Sequence, residues 1–245
     1  MTGRIDVHSH LLPGVDDGCV SVEQSLACAR LMSAIGYTHM FCTPHVVPSM
    51  PAQTVENIAA WTADLQTRLN MAQIPIQVLP GGEINLWPTL IDDMTPERLI
   101  TYALAGRHCL VDIWCDRLPD FFEPTIRWLQ DQELTVILAH PERMGAVQAD
   151  PALADYFAEL GLLLQGNLQC LNDPPESPTR SVGEKFLREG RYFMLGSDLH
   201  ELNTLAPRMA GLQNALEMVG KQEVLKLTKE NPSKLLEGLG ILEPA

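Results

Sequence analysis

The sequence predicts an α/β fold, a single TIM-like (β/α)7 barrel spanning residues 1–245 with a metal site at the C-terminal rim of its strands. Three observations predict it. Short β-branched and aliphatic runs alternate with helical periodicities along the whole chain, which argues for βα units and a parallel sheet. The runs number seven, all short enough for barrel strands, and several are apolar on both faces. Histidines and acids fall just past the C-terminal ends of six of the seven, and in a βα barrel those ends open onto one rim.

The first strand (5–7) leads to a helix that opens with Ser21 and Gln24 at capping-box spacing and stops at Gly36, where a residue without Cβ takes the left-handed position. Strand 38–42 is followed by a Pro-rich stretch (44–51) and by a helix carrying Ile58, Trp61, Leu65 and Leu69 at core spacing. Strands 76–79, 109–113, 135–139, 162–165 and 192–195 come next. Helices are predicted at 122–132, 152–160, 182–188, 207–219 and 222–227, with a last one after Asn231 and Pro232 in its first turn. The Pro-rich stretches at 44–51 and 173–178 sit between a strand and the next helix, where barrel enzymes carry substrate loops.

Composition narrows the function. With 46% hydrophobic and 20% charged residues the chain can bury one large core, and 17 basic against 31 acidic residues give 17 − 31 = −14. That charge argues against partners such as nucleic acid or an anionic membrane, both of which need a basic surface. No apolar run approaches the roughly 18 residues of a membrane span, and residues 1–10 lack a signal peptide's basic start and apolar stretch, so a soluble cytoplasmic protein is expected. Six cysteines (19, 28, 42, 109, 115 and 170) form no C-x-x-C pair and are read as buried free thiols.

Five of the seven histidines, His8, His10, His45, His140 and His200, follow the ends of strands one, two, five and seven. Glu83, Asp112 and Asp198 stand at the ends of strands three, four and seven, and Asp16 and Asp17 lie in the loop after strand one. Imidazole and carboxylate are the ligand types for Zn, Mn and Fe, and this many exceed what one ion uses, so two or three divalent ions are implied. In His8-x-His10 on an extended segment both side chains share a face. Glu83 has two oxygens and can bridge neighbouring ions. His39 and His108, near strand starts, are read as structural.

The string Ile5-Asp6-Val7-His8-Ser9-His10-Leu11-Leu12-Pro13-Gly14-Val15-Asp16-Asp17-Gly18 resembles the opening of the polymerase and histidinol phosphatase (PHP) superfamily. It is most similar to the bacterial PHP-type tyrosine-protein phosphatases encoded with capsule and exopolysaccharide genes. The likeness continues through Thr43-Pro44-His45, Gly82-Glu83-Ile84, Leu110-Val111-Asp112, Ala139-His140-Pro141-Glu142-Arg143 and Gly196-Ser197-Asp198-Leu199-His200. The resemblance implies a distorted seven-stranded barrel with a trinuclear metal site, manganese foremost and iron or zinc as alternatives. Its implied ligands are His8, His10, Asp17, His45, Glu83, Asp112, His140, Asp198 and His200, with Asp17 rather than Asp16 matching by position. Arg143 matches the family's phosphate-contacting arginine. At Asp112 the relatives carry Glu, one methylene longer, and where they place a second phosphate-binding arginine this chain has Leu205; Arg208, three residues on, is the candidate substitute.

The resemblance implies a protein-tyrosine phosphatase acting on a phosphorylated protein tail; a small phosphoester such as a sugar or histidinol-type phosphate fits the same chemistry. Three divalent ions and four carboxylates leave a cluster charge of about +2, which would draw a phosphate dianion into an otherwise acidic protein. The expected reaction is in-line attack on phosphorus by a metal-bridging hydroxide, with Arg143 on the equatorial oxygens in a fork that Lys cannot reproduce. Arg143, Asp198 and Glu142 are the candidate catalytic residues. A proton for the leaving group could come from Glu142, Asp16 or a metal-bound water, and Glu142 could equally orient Arg143 by ion pairing. Two rival classes are a metal-dependent amidohydrolase and a non-catalytic phospho-ligand binder. The first wants a bridging Lys on strand four, and no Lys precedes Lys185.

None of the six cysteines has an Arg six positions on, the spacing of thiol phosphatases. Chelators should therefore abolish activity while thiol-alkylating reagents leave it largely intact, and an assay of each treatment checks this; the reverse result would dismantle the metal mechanism.

Overall fold

A computed structural model describes residues 3–237. Nine short strands appear among them: β1 (Arg4–Asp6), β2 (Tyr37–Cys42), β3 (His45–Val46), β4 (Gln77–Pro80), β5 (Glu83–Asn85), β6 (His108–Asp112), β7 (Thr135–Ala139), β8 (Leu163–Asn167) and β9 (Met194–Gly196). All pairings are parallel, in a sheet ordered β1-β2-β4 and a second ordered β3-β5-β6-β7-β8-β9. The α/β class with parallel strands is as expected. The count of seven is corrected: β2 and β4 match the strands expected at 38–42 and 76–79, and each is followed, after a two-residue break, by a further short strand, β3 or β5. At the first break Pro44 has no N–H to give a ladder, so β2 stops at Cys42 and β3 begins at His45. At the second, Pro80 ends β4, and at Gly82 a Cβ would lie 2.8 Å from Ile100 Cγ2.

No continuous ladder joins the two sheets among the described residues. They meet instead through the segments that follow β1 and β9. Ser9 forms an isolated parallel bridge with Leu199. Asp198 N donates to His8 O at 2.8 Å and His10 N donates to Leu199 O at 2.9 Å. Beneath this contact the buried Asp6 carboxylate accepts from both Ser197 N (2.8 Å) and Ser197 Oγ. On the other side of β1, Thr43 N donates to Ser9 O at 2.8 Å.

The core has two parts. An inner cluster gathers Ile5, Phe41, Leu79, Leu110, Ile137 and Met194, side chains from strands of both sheets. Tyr102 seals it, its ring edge-on to Phe41 at 4.8 Å and its hydroxyl donating to Val7 O. A larger outer cluster lies between strands and helices. Helix Val22–Ala34 starts where Ser21 Oγ accepts from Gln24 N and Gln24 Oε1 accepts from Val20 N, and Gly36 follows at φ 93°. Helix Val55–Met71 buries Ile58, Leu65 and Leu69, with Trp61 half-buried against the same cluster. The two helices expected at 207–219 and 222–227 are present within Leu205–Leu225, separated by the non-helical Gly220 (φ 81°, ψ 165°). All six cysteines are free, and five are buried. No helix of the described residues is long and apolar enough to cross a membrane.

Replacing Asp6 by Ala leaves the Ser197 N–H unpaired inside the protein and the Ser197 hydroxyl with only its longer bond to His8 O (3.2 Å) to donate to. Urea unfolding of Asp6→Ala should show a loss of about 2 kcal/mol, whereas an unchanged midpoint would mean that the β1–β9 junction does not depend on this carboxylate.

Candidate metal centre

The ligand side chains arrive at one place because of strand register. The β3–β5 ladder pairs His45 directly with Glu83, and the β5–β6 ladder pairs Asn85 with Asp112. Neighbouring strands lie about 4.8 Å apart, so partners in register reach a common point. The break at Thr43-Pro44 thus sets His45 beside Glu83. After β1, His8 and His10 project to one face as alternation requires. After β7 and β9, His140 (φ 30°) and Asp198 (φ 52°) take the left-handed conformation, uncommon for residues with a Cβ, which turns the chain sharply at each ligand. Gly18 is also required, since a Cβ there would lie 2.2 Å from His10 O; its absence lets the loop bearing Asp16 and Asp17 press against His10.

Eight of the nine expected ligands fall into three overlapping groups: His8 with Glu83 and His140, His8 with His10 and Asp198, and His10 with Asp17, His45 and His200. Glu83 is the centre of the cluster. Its Oε2 lies 2.8 Å from His45 Nδ1, 3.4 Å from His8 Nε2 and 3.6 Å from His10 Nε2, and its Oε1 lies 3.0 Å from His140 Nε2. Asp198 Oδ1 lies 3.3–3.5 Å from nitrogens of His8, His10 and His200. The first two groups are buried, while the third opens to solvent at Asp17, whose side chain is 66% exposed. Asp112, the ninth, stands beside the first group, with Oδ1 3.7 Å from His140 Nδ1 and Oδ2 accepting from Asn85 Nδ2.

The donor set fits divalent ions on a specific observation. His8 Nδ1 faces Gln165 Oε1 at 2.8 Å, and Gln165 is fixed in that orientation because its Nε2 donates to Gly166 O. His10 Nδ1 faces Asp16 Oδ2 at 2.7 Å. Each Nδ1 therefore carries a proton and donates it, which brings the two Nε2 atoms face to face 3.2 Å apart. A positive charge has to sit between or beside them, either a proton held on His10, which Asp16, Asp198 and Glu83 favour, or a metal ion in its place. The electrostatics agree: burial opposes ionisation of Glu83 and Asp198, yet the surrounding imidazoles hold both below the usual carboxylate range. Burial alone would lower His140, but Asp112 and Glu83 raise it to about 9. A pocket that pulls protons onto its imidazoles is one in which metal ions compete with those protons.

Around the ligands stands a layer of orienting groups. Asn167 Nδ2 and Arg143 Nη1 both donate to Asp198 Oδ2 at 2.7 Å, which leaves Oδ1 for the imidazoles. Asp16 also accepts from Gly18 N and His45 N, so it is committed to the backbone and to His10 and is not available as a proton donor. Glu142 is corrected on both expected roles. It points inward, fully buried, and accepts from Asn167 N (2.7 Å) and Tyr192 OH (2.9 Å), so it neither pairs with Arg143 nor faces the mouth. Arg208 is buried and its guanidinium donates to the carbonyls of Ser197, Asp198 and Thr204, which holds the turn at Asp198, while it also lines the cavity beside Arg143. Arg143 remains partly exposed, over the face of Trp114 at 4.6 Å, at the edge of a cavity of about 370 Å³ beside Asp198 and His200. His39 and His108 lie outside the three groups, at β2 and the start of β6.

Gln165, Asn167 and Trp114 carry no sequence signal of their own, and the first two stand on β8, which neither bears nor leads into an expected ligand. The family model described as capsular polysaccharide synthesis, CpsB/CapC, matches residues 4–237. The tyrosine-protein phosphatase YwqE of Bacillus subtilis is 28% identical over 95% of this chain and 91% of its own length. The tyrosine-protein phosphatase CpsB of Streptococcus pneumoniae is 23% identical over 95% and 98%. A crystal structure from work on YwqE and CpsB, described there as unique metal-dependent tyrosine phosphatases, superposes with a TM-score of 0.84 at 23% identity, over 95% of this chain and 94% of that one, and establishes a shared fold.

Gln165→Ala removes the acceptor that fixes His8. Equilibrium dialysis with metal analysis should show a fall in affinity of about 10- to 100-fold, and unaltered binding would show that His8 is oriented by other means.

Proposed function

Because the chain belongs to the capsular polysaccharide synthesis CpsB/CapC family, we propose that it is a metal-dependent phosphoester hydrolase that removes phosphate from tyrosine in a protein substrate. The single observation that carries the reading is the convergence of five imidazoles and three carboxylates into three overlapping ligand groups that share His8 and His10. That set is sized for two to three ions, with Mn²⁺ foremost and Fe or Zn as alternatives, since nitrogen and oxygen donors without thiolate suit these metals. The reading includes closure of the two parallel sheets into a distorted barrel, one domain spanning the chain, and a cytoplasmic location.

Bound ions supply the positive charge that admits a phosphate dianion and the Lewis acidity that activates water as the nucleophile. The chain's own residues do the rest. Glu83 holds the neighbouring ligand groups at a fixed separation. Arg143 uses the N–H groups not engaged with Asp198 to bind equatorial phosphate oxygens in a fork. Asn167 keeps Asp198 turned toward the imidazoles while Arg143 works. A phenolate leaving group, pKa about 10, departs with little help from an acid, which suits a mouth where Asp16 and Glu142 are both otherwise engaged. An amidohydrolase reading finds no Lys to bridge the ions, since none precedes Lys185, and Glu83 would be the residue to hold them together.

With Mn²⁺ supplied, purified protein should hydrolyse p-nitrophenyl phosphate and a phosphotyrosine peptide, and His140→Ala should lower kcat/KM by about 100-fold or more. Equal activity of the variant would remove the ligand set from the reaction.

A further inference from the structure

We propose that Trp114 is a specificity-determining residue that selects aryl over alkyl phosphomonoesters by packing against the ring of the bound substrate. Of the four tryptophans only Trp114 is exposed, at 59%; Trp61, Trp87 and Trp128 are half-buried. It lies two residues beyond the ligand Asp112, the last residue of β6, while the intervening Ile113 is buried. The indole stands at the site without being part of it: 4.6 Å from the guanidinium carbon of Arg143 and 6.3 Å, ring centre to ring centre, from His140. The cavity between them is otherwise walled by polar and charged groups, among them Asn167, Asp173, Asp198 and Arg208, and by the small side chain of Cys170. Trp114 is its one large apolar surface.

A phosphate gripped by Arg143 therefore has an aromatic wall beside it. An ester whose alcohol is a ring gains contact there, with offset or edge-on packing, and an alkyl ester of equal charge gains little. The phosphate itself does not distinguish the two substrates, and neither do the ligands, which see only its oxygens. This role rests on the phosphatase reading above and deepens it by naming the residue that recognises the ring.

Phenylphosphonate and methylphosphonate separate the two ideas, because both present the anion and neither is hydrolysed. Calorimetric titration of the full metal-loaded chain should show phenylphosphonate bound more tightly than methylphosphonate. In Trp114→Ala the phenylphosphonate affinity should fall about tenfold with methylphosphonate unchanged, and Trp114→Phe should restore most of the difference. Equal losses for both anions would assign Trp114 to holding Arg143, and no loss for either would leave it without a role; both results overturn the proposal. A chain that hydrolyses p-nitrophenyl phosphate yet shows either result keeps its phosphatase reading and loses this one. A wild-type chain that binds neither phosphonate loses both.

Discussion

The burial of Glu83 among imidazoles is the constraint on which the rest depends. A carboxylate with almost no exposure, within 3.6 Å of nitrogens from His8, His10, His45 and His140, is stable only if positive charge stays close to it. The Nε2 atoms of His8 and His10, face to face at 3.2 Å, make the same demand from the nitrogen side. Folding of this region is therefore coupled to the presence of positive charge, and the amides and carboxylates behind the rings keep the demand directional by fixing which nitrogen of His8 and His10 faces inward.

Irregularity in the strands serves this arrangement. Were β2 and β4 to run on without interruption, His45 and Glu83 would be carried along the ladder instead of meeting in register one break later. Pro44 and the Gly81-Gly82 pair are small departures from strand geometry whose effect is to bring two ligands together at the rim. The junction between β1 and β9 works similarly: Asp6 and Ser197 fasten the chain immediately beneath His8 and Asp198, so the residues that tie the sheets together also fix the spacing of two ligands.

Much of the site was legible in the sequence because its chemistry is carried by residue types with few other reasons to cluster. His8 and His10 could be placed on one face from alternation alone, and Asp17 could be distinguished from Asp16 only through resemblance. What escaped was direction. Glu142 and Arg143 are adjacent and opposite in charge, yet they occupy the single 3₁₀ turn Pro141–Arg143, in which successive side chains diverge by about 120°. One therefore faces the core and the other the mouth. Arg208 carried no sign in the sequence that it would be buried, holding the backbone carbonyls of a left-handed turn. Gln165 and Asn167 were invisible because an amide beside a ligand has no spacing rule to betray it.

The left-handed backbone at His140 and Asp198 places two of the ligands where glycine would be most comfortable. Each costs on the order of 1 kcal/mol of conformational energy, and neither can be exchanged for glycine without losing the side chain that holds the centre together. Glycine at Asp198 would relieve that strain but leave Asn167 and Arg143 without their acceptor. Asparagine, which tolerates this backbone and keeps an acceptor oxygen, is the exchange the turn accommodates best.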